Sequence, residues 1–197
     1  MRSGSRTLGI AFSDGDRSSH LAGAVVRTDG TLDGLGFGAC TVGGTDATDA
    51  VIRCFRSLGR EDVRRVCCAG VAPAWFNLLD LERIHGAIDR PVLAVSYEES
   101  RGLEPALREA FAGDALETRL ATYRRLPPRR EVDRGDDAEP LFVRAVGMGD
   151  GNDPATNDST NDPAAVVRAL TREGFRRPEP LRIASIAASA HRAAIEG

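Results

Sequence analysis

The sequence predicts an α/β fold: one mixed sheet, a three-strand meander followed by parallel strands, flanked by helices. Three observations carry that expectation. The first 42 residues hold three apolar runs, the last two joined by an Asp-Gly turn. Beyond them, short apolar runs alternate with segments whose apolar residues recur every three or four positions, the order that parallel crossover units require. Hydrophobic residues make up 42% of the chain and aromatics only 5%, so the core must be aliphatic.

Strands are expected at residues 7–12, 21–27 and 31–42, with Thr28-Asp29-Gly30 as the hairpin turn. Ala47, Ala50, Val51, Cys54, Phe55 and Leu58 follow helical spacing and predict a helix over 46–58. The fourth strand falls at 64–69. A helix at 78–88 carries Leu78, Leu81, Ile84 and Ile88 on one face. The fifth strand is expected at 91–96, helices at 103–111 and 114–125, a later strand at 141–146, and closing helices at 164–171 and 181–195. Residues 124–139 and 147–163 look irregular. The second of these, rich in Gly, Asn, Asp, Ser and Pro, reads as a flexible acidic surface insert. The 197 residues suit a single domain, 1–197, with no internal repeat.

Composition excludes several classes. No run approaches the ~18 apolar residues of a membrane helix. The basic first residues lead into a mixed strand instead of a signal segment, so a soluble, cytoplasmic protein without a membrane partner is expected. All 26 basic residues are arginine, and aspartate exceeds glutamate, a bias that fits a high-GC and salt-adapted genome. Nine acids and two arginines lie between Glu131 and Asp162, which leaves the rest of the chain slightly basic. A basic body permits DNA or RNA as a partner. The oligomeric state is left open.

Metal chemistry finds little support. Cys40, Cys54, Cys67 and Cys68 form no C-x-x-C pair, and His20, His85 and His191 are scattered, so no zinc site is expected. Cys67 and Cys68 are neighbours on one strand and point to opposite faces, as buried hydrophobes do, with a redox role as the alternative. Asp150, Asn152 and Asp153 suggest calcium, but Asn161 stands where a calcium loop needs glutamate, which favours a solvated loop.

The fourth strand poses the central question. Ligands of open sheets sit beyond the carboxyl ends of strands, yet this strand ends in Ala69-Gly70. The loop beyond it, Pro73-Ala74-Trp75-Phe76-Asn77, offers Trp75, Phe76 and Asn77 as nucleic-acid contacts, with the rings able to stack on bases. The favoured alternative is that both rings plug the core. Arg124, Arg125, Arg129 and Arg130 bracket Pro127-Pro128 and can meet phosphates or pair with the acids downstream. Asp46-x-x-Asp49 before an apolar helical run reads as a helix-capping pair. Asp80 is expected to face solvent, and His20 and His85 to be surface or packing residues.

Three stretches, "TLGIAFSDG" at 7–15, "TVGGTDATDAVI" at 41–52 and "REGFRRPEPLRIASIAASA" at 172–190, together resemble the archaeal family called domain of unknown function 99, whose relatives include endonuclease V. "CCAGVAPAWFNLLDL" fits as well, and the likeness covers nearly the whole chain outside the acidic insert. The resemblance implies a ribonuclease-H-like fold. It also implies Mg²⁺ held by acids on the first and fourth strands, hard oxygen donors that activate water at a phosphate. The related pattern reads Leu-Gly-Ile-Asp on the first strand, and its fourth strand ends Asp-Gly. The matching positions here are Ala11 and Ala69.

Three readings follow. One is a relative without the usual metal-binding acids that binds nucleic acid or a nucleotide and needs no cofactor. The second is an active Mg²⁺-dependent endonuclease with a relocated site at Asp14, Asp16, Asp46 and Asp49, the first two lying just past strand one. The third is a regulatory or assembly protein that inherited the fold. The resemblance also places Arg182 toward the site, with Glu179 orienting Arg176 or Arg177. The first reading is preferred.

Overall fold

The computed structural model describes residues 4–99, 102–134, 139–149 and 161–197. Its elements are β1 (Arg6–Asp14), β2 (Ser18–Arg27), β3 (Leu32–Thr41), α1 (Ala47–Leu58), β4 (Val63–Ala69), α2 (Leu81–Ile88), β5 (Val92–Ser96), α3 (Glu104–Ala110), α4 (Gly113–Arg125), β6 (Arg130–Glu131), β7 (Phe142–Val146), α5 (Pro163–Leu170) and α6 (Glu179–Glu196). The strands form one sheet in the order β3-β2-β1-β4-β5-β7-β6. β1, β2 and β3 are the antiparallel meander; β1, β4 and β5 run parallel; β7 returns antiparallel. The expected mixed α/β sheet is therefore present.

Strand alternation sorts the core into two layers. Leu8 and Ile10 of β1 and Val66 and Cys68 of β4 face α1 and α2, where they meet Val51, Cys54 and Ile84. Each buried aliphatic side chain there contributes about 1.5–3 kcal/mol. Gly9, Ala11 and Cys67 face the other way, toward α5 and α6. A Cβ on Gly9 would lie 2.2 Å from the Pro180 carbonyl oxygen, so only glycine lets α6 begin directly on β1. Burial pushes the Cys67 thiol up to about 12 and Cys68 higher still, so both behave as hydrophobes at neutral pH.

Element ends differ from expectation in informative ways. β1 and β2 are longer than the apolar runs, because Ser13 pairs with His20 and Asp14 with Ser19 before the turn at Gly15. Asp14 is thus the last residue of β1 instead of lying beyond it. α2 starts at Leu81 because the Asp80 side chain accepts from the Arg83 amide and caps it, so Asp80 is not simply solvated. Most of the acidic insert, including Asp150, Asn152 and Asp153, falls outside the described residues.

Candidate functional site

β1, β4 and β5 are parallel, so their carboxyl ends open on the same edge of the sheet. A cavity of about 640 Å³ lies there. Its floor is apolar and small. Ala11 and Ala69 follow the paired residues Ile10 and Cys68, and both belong to the apolar cluster that includes Ala24, Val26 and Ala184. Ala11 is 2% exposed.

The walls are polar. Arg129, Arg144 and Arg177 line the cavity with Asp14, Glu98, Tyr97 and Tyr123. Arg144 rises from the middle of β7, donates to the Pro127 carbonyl and lies 5.7 Å from the Tyr123 ring. Burial holds its pKa below the usual arginine value. Arg129 donates to the Glu98 carbonyl at 3.1 Å and stacks on Phe142. Arg177 donates to Ser185 Oγ at 3.3 Å and lies 5.4 Å from the Tyr97 ring. The Tyr97 hydroxyl is buried and has no hydrogen-bond partner among the described residues. Three guanidinium groups against two carboxylates give the walls a positive bias.

The four candidate acids do not gather. Asp14 lines the cavity and accepts from Ser19 Oγ at 2.5 Å. Asp16 is exposed in the β1–β2 turn. Asp49 pairs with Arg83 at 2.6 Å. Asp46 accepts from the Thr41 amide and hydroxyl and, at 2.7 Å, from Asn77 Nδ2. Burial raises its pKa, but these hydrogen bonds outweigh burial and hold the carboxyl below its ordinary value. Asp46 occupies the N-cap position of α1, yet its side chain makes no capping bond. Asn77 Oδ1 takes the Ala47 amide instead, at 2.9 Å. Among the described residues no three His, Cys, Asp or Glu side chains converge as a metal would need.

Asn77 is fully buried and also donates to the Thr41 carbonyl at 2.8 Å, so it ties the loop after β4 to β3 and α1 instead of facing a ligand. Just before it, Ala74, Trp75 and Phe76 have φ of 49°, 52° and 61°. Consecutive left-handed residues with a Cβ cost roughly 1–2 kcal/mol each. The turn is held by Gly43, whose amide donates to the Ala74 carbonyl at 2.7 Å, and by Arg119, which donates to the Phe76 carbonyl at 3.2 Å and to Gly43 and Gly44. Arg119 is 5% exposed, has no carboxylate partner among the described residues, and lies 3.9 Å from the Phe111 ring centre. The left-handed turn throws Trp75 outward: it is 54% exposed, 5.1 Å from the Phe111 ring. The expectation that both rings plug the core fails for Trp75, while Phe76 packs with Leu78 and Leu107.

The remaining arginines are held locally. Arg124 pairs with Glu104 at 2.9 Å and Arg125 with Asp80 at 2.9 Å, acids upstream of them and not the acidic stretch downstream. Arg130 lies in β6. Glu179 binds Arg182 through both oxygens, at 2.7 and 2.8 Å, and orients neither Arg176 nor Arg177. Arg176 pairs with Glu139 at 2.7 Å. Arg144, Tyr97, Tyr123 and Glu98 were not singled out from sequence. Arg144 carried a usable signal, a charge in the middle of the apolar strand Phe-Val-Arg-Ala-Val. Among the described residues no helix is long and apolar enough to cross a membrane.

Comparison with known proteins gives one consistent result. The family described as Endonuclease dU matches residues 3–192. A UPF0215 protein of Thermococcus kodakarensis is 34% identical over 94% of this chain and 91% of its own length. Among solved structures, a protein of unknown function from Archaeoglobus fulgidus superposes with a TM-score of 0.76 at 26% identity, covering 94% of this chain and 97% of that one. Endonuclease V of Ciona intestinalis, bound to a 24mer DNA containing an inosine followed by a ribo-adenosine, has a TM-score of 0.58 at 10% identity, covering 98% and 87%. The last likeness is one of fold.

Proposed function

The chain belongs to the Endonuclease dU family, and from that premise we propose that it binds nucleic acid at the strand-end cavity without cutting it. The observation that carries this reading is the pair Ala11 and Ala69 on the cavity floor. A methyl group donates nothing to Mg²⁺, an ion that loses water reluctantly and asks for oxygen ligands. Among the described residues, the carboxylates that line the cavity, Asp14 in its bond to Ser19 and Glu98, do not make up that set. No cleavage step through a metal is therefore assigned.

What the cavity keeps suits an anion and a base. Arg129, Arg144 and Arg177 offer positive charge in a partly dry setting, where it acts over a longer range than in water. Trp75 stands exposed beside the wall formed by Pro73 and Ala74, a platform on which a base can stack. The DNA in the Ciona endonuclease V structure supports choosing nucleic acid over other anions.

A second reading, metal-dependent cleavage from a relocated site, is favoured by one observation: Asp14 lines the same cavity as Gly70. A binding titration followed by fluorescence anisotropy tests the first reading, using single-stranded DNA with deoxyuridine, with inosine or undamaged. Engagement of three phosphates would give a slope of about −2 in log affinity against log salt. Arg144→Ala should weaken binding and flatten that slope. Binding insensitive to both salt and Arg144→Ala would remove the cavity from the account.

A further inference from the structure

β3 is an edge strand with little to prevent another chain from pairing with it. The alternation of its hydrogen bonds can be followed from one contact. Val42 donates to the Arg17 carbonyl, so the main-chain groups of Cys40, Gly38 and Gly36 point toward β2, and those of Ala39, Phe37 and Leu35 point away from the sheet. Thr41 also points outward, but its amide is already taken by Asp46, which closes that end. At the other end the ladder slips in register between Val25 and Val26. The stretch from Gly34 to Ala39 between these stops is regular. It contains no proline and no charge, the usual guards of an exposed edge.

The side chains on the same stretch are apolar and open. Glycines at 34, 36 and 38 take the face toward α1, where a Cβ on Gly36 would press on Leu58 at 3.0 Å. Leu35, Phe37 and Ala39 take the opposite face. Phe37 is 44% exposed although His191 of α6 stacks on it, and Leu35 is 42% exposed.

We propose that β3 pairs antiparallel with β3 of a second copy of this chain, about a two-fold axis at Phe37. A two-fold there sets Leu35 opposite Ala39 of the other copy, so each open amide meets an open carbonyl, and it brings the exposed Phe37 rings together. Charge favours the antiparallel sense. Near Leu32, Asp33 gathers Arg6, Arg27 and Arg60, with Asp62 beside them, a cluster of net charge +1. The Thr41 end carries Asp14, Asp16 and Asp46 against Arg17. Antiparallel pairing sets the basic end of each copy against the acidic end of the other, whereas parallel pairing sets like against like.

The test is the mass of the full chain by sedimentation equilibrium across a concentration series, with cysteine cross-linking to fix the geometry. The wild type should dimerise. Leu35→Lys puts a charge on the open face, and Ala39→Pro removes an outward amide that β2 does not use; each should raise the dimer dissociation constant at least about tenfold. Circular dichroism reports whether each variant folds, and Leu35→Lys stands alone if Ala39→Pro does not. Phe37→Cys should cross-link under mild oxidation, because the native cysteines are buried, whereas Ile186→Cys on exposed α6 surface should not. A wild type that stays monomeric at every concentration overturns the proposal. So does a dimer that withstands Leu35→Lys, or one in which Ile186→Cys cross-links as fast as Phe37→Cys.

Discussion

Ala11 of β1 and Ala69, the last residue of β4, lie on one face of neighbouring parallel strands, one residue beyond the Ile10–Cys68 pair, and share an apolar cluster with Ala184 of α6. Together they make a small apolar contact between sheet and helix. The contact has a stability consequence. Ala11→Asp would place a carboxylate at a 2% exposed position among Ala24, Val26 and Ala184. It should cost about 2–4 kcal/mol in urea unfolding at pH 7. A loss under about 0.5 kcal/mol, the range of an ordinary surface change, would mean that the site accepts a charge and that the apolar description is wrong.

The turn carrying Trp75 separates stability from binding. Trp75→Ala keeps the left-handed backbone strain and removes the ring, while Trp75→Gly removes both. The glycine variant should be more stable than the alanine variant by about 1 kcal/mol, read by thermal or urea unfolding. Both should lose about 1–3 kcal/mol of single-strand affinity if the ring stacks on a base. Equal stabilities would show that the turn is not strained; unchanged affinity would show that the ring is a bystander.

Asn77 is the pin between the loop after β4 and the start of α1. Asn77→Asp replaces the Nδ2 donor with an oxygen that faces the Thr41 carbonyl and the Asp46 carboxylate. That juxtaposition is buried and repulsive, and the variant should lose about 3–5 kcal/mol. Asn77→Ala, which leaves the partners unpaired without adding charge, should lose less. The order of the two unfolding midpoints in urea is the check.

Legibility followed periodicity. α1 and the first five strands could be read because their apolar residues repeat at a period set by the backbone alone. That Ala11 and Ala69 share one face could be read as well, since strand alternation aims side chains predictably. What escaped depends on partners distant in sequence. Asp46 sits where a cap belongs, but Asn77 from another loop takes the helix amide, and no local pattern reveals that exchange. Trp75 looked like core because its ring is large. Its exposure follows from three positive φ angles that Gly43 and Arg119 stabilise from elsewhere. The Arg bracket behaved likewise: Arg124 and Arg125 found acids on α3 and at the cap of α2.

Acid should act through Asp33. Hydrogen bonds from Arg27, Arg6 and Arg60 hold its carboxyl well below the usual carboxylate range. A group whose pKa is depressed by folding stabilises the fold above its unfolded value and loses that contribution as pH falls toward the folded one. The wild type should therefore lose stability as pH drops below about 4. Asp33→Asn should be less stable at pH 7 and show a shallower decline on that limb. Urea midpoints measured from pH 7 down into the acid range decide it; identical slopes for the two proteins would refute the assignment.

The central claim is that the strand-end cavity holds nucleic acid and does not cut it. The most direct measurement incubates end-labelled, deoxyuridine-containing single-stranded DNA with saturating protein in Mg²⁺ and in Mn²⁺, and divides each sample between an anisotropy reading and a denaturing gel. The account requires a bound, salt-sensitive complex whose DNA runs at full length in both metals. Metal-dependent fragments that disappear with Asp14→Ala would contradict it and transfer the chemistry to a relocated carboxylate site.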